Sequence, residues 1–211
     1  LEKKSKYWIG SDMKRIKITG SSSSPNFIGA WMLEPVNVCD DLIDFFETNK
    51  SQQKVGEVGR GIQPEIKQTT DITIQPKQLK LPGNDVFNSY LESLLACYED
   101  YRKQWDFLSQ HLGKVHVSTF NLQRYHEGDH FKAIHSERMG LDTSHRLFAW
   151  MTYLNDVESG GDTEFTHYDI RVKPEKGKTL IWPSEWTHAH RGNTLNSGVK
   201  YVITGWMHFP E

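Results

Sequence analysis

The chain has 211 residues, which is enough for one domain or for one domain with an extension. Hydrophobic residues make up 36% of the sequence and charged residues 25%, a balance typical of a soluble globular protein and too polar for a membrane protein. The net charge of -2 argues against a nucleic-acid partner, and the longest apolar run, 27–33, is too short to span a membrane.

A polar N-terminal segment, 1–26, precedes what the sequence indicates is a single domain, 27–211. The segment contains a serine-rich stretch and is predicted to be flexible, although 14–19 also fits an edge strand. A strand is predicted over 26–35, and the helix that follows begins at Asn37, a residue type that favours the N-cap.

Residues 50–69 lack hydrophobic periodicity, so they are predicted to form a loop and are a candidate for mobility. A short strand is predicted over 69–76, ended by its proline. The clearest element is a second helix after a cap at Asn84. Its apolar stripe consists of Phe87, Tyr90, Leu91, Leu94, Leu95, Tyr98, Tyr101 and Trp105.

The two cysteines, Cys39 and Cys97, lie within these apolar helical patterns. Such positions favour buried, reduced thiols over a disulfide. Because no secretory signal is visible at the start of the sequence either, we expect a cytoplasmic protein.

From residue 115 onward the sequence changes to short β-like runs that are separated by turn signals. The runs cover 115–125, 145–157, 162–174, 177–183, 186–193 and 198–209. Six strands at this spacing predict a sandwich or barrel, with the two helices lying against one sheet. The fold class is therefore mainly β with flanking helices (α+β).

A possible metal site begins with His135 and Glu137. Residues two apart in extended backbone point to the same side, so both side chains can reach one ion, although a pair flanking a loop would look the same. A third ligand must come from elsewhere, and either His188 or His190 on a later predicted strand is suitable. Two histidines and one carboxylate with open coordination positions are typical of non-haem Fe(II) oxygenases.

Lys200 is unusual because it lies on an otherwise apolar strand, where a buried ammonium needs a partner. It shares strand parity with Thr204 and Trp206. If that face lines a cavity, Lys200 can hold a ligand carboxylate and Thr204 can add a hydroxyl. If the strand is at an edge, the lysine lies in solvent.

A series of motifs in one order covers the chain from about Phe120 to Trp206. They are Tyr125-x-x-Gly128, His135-x-Glu137, Tyr153-Leu154-Asn155, Gly160-Gly161-x-Thr163-x-Phe165, Pro174-x-x-Gly177, His190-x-Gly192 and Lys200. This order resembles the 2-oxoglutarate/Fe(II)-dependent dioxygenases, most closely the prolyl 4-hydroxylase-like branch. The resemblance implies a double-stranded β-helix (jelly-roll) core over 113–211, with supporting strands and helices over 27–112.

The resemblance also implies roles for the residues of the site. His135, Glu137 and His190 would be the iron ligands, with His190 favoured over His188 because it precedes Lys200 by the family's interval of ten residues. The expected set of co-substrate residues is Lys200, which would pair with the distal carboxylate of 2-oxoglutarate, together with Tyr125, Tyr153, Thr204 and Trp206. The family usually has aspartate where this chain has Glu137. His188 would be a neighbour of the site on the same face.

The implied reaction is hydroxylation of an unactivated C–H bond with Fe(II), 2-oxoglutarate and O2, supported by ascorbate, and release of succinate and CO2. A prolyl residue of a peptide or protein is the favoured substrate. The alternatives are a free amino acid or small metabolite, and a non-catalytic cupin-like metal-binding jelly-roll. A nucleic-acid demethylase is disfavoured by the charge. The segments 50–69 and 136–146 are expected to frame the entrance, with Arg60 and Arg138 as candidate substrate contacts.

Overall fold

The computed structural model describes residues 13–18, 20, 25–59 and 61–209, which form fourteen β-strands and three α-helices. The strands are β1 (Lys14–Arg15), β2 (Gly29–Met32), β3 (Lys54–Val55), β4 (Lys67–Gln68), β5 (Thr70–Ile74), β6 (His116–Val117), β7 (Phe120–His126), β8 (His130–His135), β9 (Arg146–Tyr153), β10 (Thr163–Phe165), β11 (Ile170–Val172), β12 (Lys178–Pro183), β13 (His190–Gly192) and β14 (Val199–His208). The helices are α1 (Val38–Thr48), α2 (Asp85–Lys103) and α3 (Asp106–His111). Short 3-10 turns cover Lys50–Gln52, Pro76–Lys80, Leu141–Thr143 and Trp186–His188.

The strands form two sheets, which confirms the mainly β architecture with flanking helices. In the larger sheet the order is β1-β2-β12-β9-β14-β7-β5-β3, with β6 paired to β14. In the smaller sheet the order is β11-β10-β13-β8-β4. Neighbouring strands within each sheet are antiparallel, and many neighbours are distant in sequence, as the crossovers of a jelly-roll require.

Two apolar cores lie on the two faces of the larger sheet, and β14 shows how one strand serves both. Ile203 and Met207 belong to the outer core, where α1 and α2 cover the sheet. Val202, one position away from Ile203, belongs to the inner core between the sheets. Because side chains alternate along a strand, the same alternation turns Lys200 and Thr204 toward the inside.

Several predicted elements agree with the structure in part. The strand over 14–19 is realised as β1 at the edge of the larger sheet, while Thr19 lies outside the described residues. Residues 1–12 and 21–24 are outside them as well, so the flexibility of 1–26 stays a prediction. Cys39 and Cys97 are buried and unpaired, as expected.

The loop prediction for 50–69 is wrong in part, because this segment contains β3 and β4. Each strand has two residues and extends one sheet edge, β3 against β5 and β4 against β8. Strands this short have no detectable alternation, and tertiary pairing alone defines them. A further strand, β8, lies between the predicted runs, and of the run 186–193 only His190–Gly192 is a strand.

Two details of the helices also differ. Asn37 occupies the N-cap position of α1, but its side chain makes no capping hydrogen bond. Leu95 does not belong to the buried stripe of α2, because it points to solvent, and Trp105 lies beyond the end of that helix. Over the described residues, the structure has no helix long and apolar enough to cross a membrane.

Two adjacent leucines of α2 give a matched test of this packing. Leu94 is 1% exposed in the outer core, whereas Leu95 is 53% exposed. We expect Leu94→Ala to lower the free energy of unfolding by about 2–5 kcal/mol, because it removes buried methyl groups and leaves a cavity. Leu95→Ala should change it by no more than about 0.5 kcal/mol. Urea denaturation of both variants measures the difference, and equal effects would contradict the placement of the helix.

Candidate metal centre and co-substrate pocket

A cavity of about 780 Å³ opens between the two sheets. Its walls include residues of β7 and β14 from the larger sheet and of β8 and β13 from the smaller one. Side chains from 57–67 and 139–146 also contribute to it, so the two segments expected to frame the entrance do line the cavity. The mobility of the first segment stays a prediction.

His135 and His190 face each other across neighbouring strands. His135 ends β8, His190 begins β13, and the two residues are direct cross-strand partners. Glu137 follows β8 by two residues and places its Oε1 atom 3.3 Å from His190 Nε2 and 3.8 Å from His135 Nε2. All three ligand atoms lie within 4.8 Å of one another. The structure therefore brings together the three residues that the motifs predicted as metal ligands.

Backbone carbonyls fix the orientation of both imidazoles. The Nδ1 atom of His135 lies 2.9 Å from the carbonyl oxygen of Ala133, and that of His190 lies 2.9 Å from the carbonyl oxygen of His188. A carbonyl can only accept, so each Nδ1 carries a proton, and each Nε2 faces the cluster as the atom available to a metal. Imidazoles held in this way are typical of metal-binding histidines.

The charges in the cluster also suit a cation. Burial raises the pKa of Glu137, but the hydrogen bond and charge of His190, the charge of His135 and a hydrogen bond from Trp206 outweigh burial and lower it to about 2. Burial and the neighbouring His190 lower the pKa of His135 to about 4. At neutral pH Glu137 is therefore ionised and His135 is neutral, the forms that bind a divalent metal.

The donor set fits the metal that the motifs imply. Two imidazole nitrogens and one carboxylate oxygen converge on one point, and the cluster opens into a cavity on its other side. This set with open positions is the one that Fe(II) oxygenases use. Over the part of the chain that the structure describes, no other group of three such side chains comes as close together.

Lys200 lies in the same cavity and is buried, with 3% of its surface exposed. Its Nζ atom donates to the carbonyl oxygen of Gly161 at 2.8 Å and lies 4.0 Å from the ring centre of Tyr125. Burial lowers the pKa of Lys200 to about 7, an effect that the charge of Asp162 opposes. Among the described residues, no carboxylate forms an ion pair with this ammonium. A buried cation without a carboxylate partner favours an anionic ligand.

Tyr125 lines the cavity at the end of a buried polar chain. Its hydroxyl donates to Gln123 Oε1 at 2.9 Å, and Gln123 Nε2 donates to Asp71 Oδ2 at 3.3 Å. The same carboxylate accepts from Lys67 Nζ at 2.5 Å and from Thr69 Oγ1 at 2.7 Å. The phenol proton is therefore directed to Gln123, and a bond from Tyr125 to a co-substrate requires the O–H to rotate.

The other residues of the predicted co-substrate set have different partners from those expected. Thr204 lines the cavity, but its hydroxyl donates to the carbonyl oxygen of Trp150 at 2.9 Å. Tyr153 lies behind the cavity wall, fully buried, and its hydroxyl donates to Thr163 Oγ1 at 2.6 Å. The Tyr153 hydroxyl is engaged inside the inner core in this structure, so its contact with the co-substrate stays a prediction.

Trp206 lines the cavity as expected, and it has a contact that the sequence did not predict. Its indole N–H donates to Glu137 Oε2 at 2.7 Å. The guanidinium of Arg146 lies 3.6 Å from the centre of the Trp206 ring. Arg146 was not a candidate in the sequence, because its only local signal is a charge at the start of a predicted strand.

His188 does not share the cavity with His190. It lies in a 3-10 turn before β13, so strand parity does not apply to it. Its Nε2 atom is 2.8 Å from the carbonyl oxygen of Asn26, on the side of the N-terminal segment. Its contribution to the site is its own carbonyl oxygen, which orients His190.

Of the two candidate substrate contacts, Arg138 is not among the residues that line the cavity. Arg138 is half-exposed, and its Nη1 atom pairs with Glu185 Oε1 at 2.5 Å, away from the ligands. That ion pair accounts for its side chain. Arg60 lies outside the described residues.

Comparison with known proteins agrees with this geometry. Residues 120–208, which run from β7 to the end of β14, match the profile of the 2OG-Fe(II) oxygenase superfamily. The chain is 26% identical over 147 residues to probable prolyl 4-hydroxylase 9 of Arabidopsis thaliana, covering 54% of this chain and 51% of that protein. The chain thus spans about half the length of this curated relative.

Two solved structures share the architecture over most of the chain. A prolyl-4-hydroxylase of Pseudomonas putida superposes with a TM-score of 0.66 at 16% identity, covering 86% of this chain and 92% of that one. A Trichoplax adhaerens prolyl hydroxylase, solved with a hypoxia inducible factor oxygen degradation domain peptide fragment, gives 0.65 at 14% identity and covers 87% and 84%. Identity at this level establishes the fold, and it confirms the predicted double-stranded β-helix. The profile match over 120–208 and the curated relatives make this part of the chain similar to the 2OG-Fe(II) oxygenase superfamily, and among its members to prolyl 4-hydroxylases.

Proposed function

We propose that the protein is an Fe(II)- and 2-oxoglutarate-dependent dioxygenase that hydroxylates a prolyl residue of a peptide or protein, releasing succinate and CO2. The observation that carries the proposal is that the His135–Glu137–His190 cluster and the buried ammonium of Lys200 line one cavity. A cupin-like module that only binds a metal has no need of that ammonium, because an unpaired buried charge lowers stability.

His135, Glu137 and His190 would hold Fe(II), which would supply the activation of O2 for attack on an unactivated C–H bond. The chain sets the orientation of the two imidazoles and the ionisation state of the carboxylate. Carbonyl oxygens hold both imidazoles with Nε2 toward the cluster, and Glu137 stays ionised at neutral pH. Because the three ligand atoms lie together in the wall of the cavity, the cavity side would be left for 2-oxoglutarate and O2. Ascorbate is proposed as a supporting reductant.

Lys200 would pair with the distal carboxylate of 2-oxoglutarate. Its ammonium lies on the cavity wall, and a charge-assisted hydrogen bond there is strong because the surroundings exclude water. Tyr125, whose ring faces that ammonium, would add its phenol to the same end of the co-substrate. Both residues act by fixing the orientation of 2-oxoglutarate.

The volume of the cavity favours a substrate larger than a metabolite of a few atoms. Its volume of about 780 Å³ falls within the range of about 300–1,000 Å³ for pockets that hold drug-sized ligands. A five-carbon co-substrate leaves room there for the side chain of a peptide. The prolyl hydroxylase names of the relatives support proline as that side chain.

The remaining proposals concern the whole molecule. Residues 27–211 would form one dioxygenase domain, since β2 and β5 from 27–112 complete the larger sheet of the 113–211 core. A cytoplasmic location also stays a prediction.

Turnover tests the proposed function directly. With Fe(II), 2-oxoglutarate and ascorbate, the protein should form succinate faster when a proline-containing peptide is present than when free proline or an alanine-substituted peptide is added. Glu137→Ala should abolish this stimulation, since it removes one of three ligands, while exposed Glu127→Ala should retain it. Absence of succinate with every peptide and amino acid, together with no Fe(II) binding, would overturn the proposal.

The role of Lys200 has a separate test. Lys200→Ala should weaken 2-oxoglutarate binding about 100-fold or more, because a buried charged hydrogen bond to a carboxylate is lost. Its metal affinity should stay close to that of the wild type. Isothermal titration of the Mn(II)-loaded protein measures the co-substrate, and Lys132→Ala, at an exposed position of β8, is the control. Unchanged 2-oxoglutarate affinity in Lys200→Ala would refute the assignment.

Binding of 2-oxoglutarate should also depend on pH. Burial lowers the pKa of Lys200 to about 7, and only the protonated amine can pair with a carboxylate. Affinity should therefore be highest below about pH 7 and fall by up to about tenfold per pH unit above it. Lys200→Arg, which stays charged, should remove this dependence from whatever binding it retains. If the affinity of the wild type for 2-oxoglutarate is constant from about pH 6 to pH 9, protonation of Lys200 does not control binding and the prediction is wrong.

A further inference from the structure

We propose that Trp206 and Arg146 form a clamp that positions the Glu137 carboxylate for metal binding, and that this clamp allows a glutamate to act where the family usually has an aspartate. The inference rests on the proposed function, since it concerns the same metal. It assigns Arg146, which no motif of the sequence indicated, and it gives Trp206 a positioning role in place of the co-substrate contact that the resemblance implied.

The two oxygens of the Glu137 carboxylate have different partners. Oε1 faces the histidines, 3.3 Å from His190 Nε2 and 3.8 Å from His135 Nε2. Oε2 accepts the indole N–H of Trp206 at 2.7 Å, a distance of a strong hydrogen bond. With Oε2 occupied, only Oε1 is free to approach a metal. The carboxylate would therefore bind through one oxygen and leave more coordination positions open.

A glutamate needs such a restraint more than an aspartate does. Its extra methylene adds one rotatable bond, and ordering that bond costs conformational entropy. The bond from Trp206 selects one orientation of Glu137 in advance. In an aspartate the carboxylate lies about 1.5 Å nearer the backbone, one C–C bond length. It could not keep both the indole contact and the approach to the histidines.

Arg146 contacts both the backbone of Glu137 and the ring of Trp206. Its Nη1 atom donates to the backbone carbonyl oxygen of Glu137 at 3.0 Å, which fixes the main chain beside the ligand. Its guanidinium stacks 3.6 Å from the Trp206 ring centre, which fixes the plane of the indole. Its distance of 3.9 Å to Glu137 Oε2 is too long for a hydrogen bond.

The choice of donor suits a metal ligand. The group that bonds directly to the Glu137 carboxylate is the neutral indole of Trp206, so it restrains the oxygen without bringing a positive charge into contact with it. A cation at that position would oppose the charge of a bound divalent metal. Arg146 makes no hydrogen bond to the carboxylate; its charge lies 3.9 Å from Oε2, and its direct contacts are with the backbone and the ring.

A double-mutant cycle tests the clamp by metal binding alone. Trp206→Phe removes the N–H and keeps an aromatic ring, and we expect it to weaken Co(II) binding about tenfold, as loss of a partner of a metal ligand does. Glu137→Asp should weaken binding as well. Because an aspartate cannot reach the indole, adding Trp206→Phe to Glu137→Asp should change the affinity less than about twofold. Visible absorbance of Co(II), titrated without 2-oxoglutarate, gives the four dissociation constants.

Matched controls separate the clamp from general destabilisation. Trp186→Phe, at a tryptophan that is 67% exposed, should bind Co(II) as the wild type does. Arg146→Lys keeps the charge but lacks the planar fork, so it should also weaken binding. Circular dichroism of each metal-free variant reports whether it is folded. If Trp206→Phe binds like the wild type, or weakens binding by the same factor in both backgrounds, the clamp is refuted.

The same titration distinguishes this inference from the proposed function. If the wild type binds Co(II) and forms succinate while Trp206→Phe is indistinguishable from it, the clamp fails and the function stands. If the wild type does not bind Co(II) at all, the proposed function fails, and the clamp fails with it.

Discussion

The pairing register between β8 and β13 is the constraint on which the rest of the site depends. It places His135 directly opposite His190 on neighbouring strands, where antiparallel partners are close enough for their side chains to interact. Phe131 stacks on the ring of His135, 4.0 Å between centres, and Trp182 lies 5.1 Å from that of His190. A shift by one residue would turn one imidazole out of the cavity. The approach of Glu137 to both imidazoles depends on this register.

The larger sheet supplies the remaining functional groups through β14. Its inner face carries Lys200, Thr204 and Trp206 into the cavity, while Ile203 and Met207 on the outer face pack under the helices. The outer face of β14 therefore packs in the core that supports the sheet, and its inner face forms part of the site. Since Trp206 reaches across to Glu137 beyond the end of β8, the metal centre is assembled from both sheets, and its geometry depends on how they pack.

The sequence allowed the fold class and the convergence of His135, Glu137 and His190 to be predicted, because ordered motifs and strand alternation are local patterns. The contacts that it could not reveal join residues that are far apart in the sequence. Arg146 meets Glu137 through its backbone and Trp206 through its ring, and neither contact leaves a periodic signal. Tyr153 shows what parity alone leaves open. Its parity was correct for an inward position, but parity does not distinguish the cavity from the apolar core beside it.

The balance of buried charges explains why the cavity would orient an asymmetric dianion. Lys67 is neutralised by Asp71, and Arg146 lies beside Glu137, so both cations have local partners. Among the described residues, Lys200 is the buried cation of this cavity that a carbonyl and an aromatic ring alone accommodate. A ligand carboxylate gains most by meeting that ammonium, while its other end is free to meet a metal held by the histidines. The proposed binding direction of 2-oxoglutarate thus follows from the one buried cation of this cavity that has no carboxylate partner among the described residues.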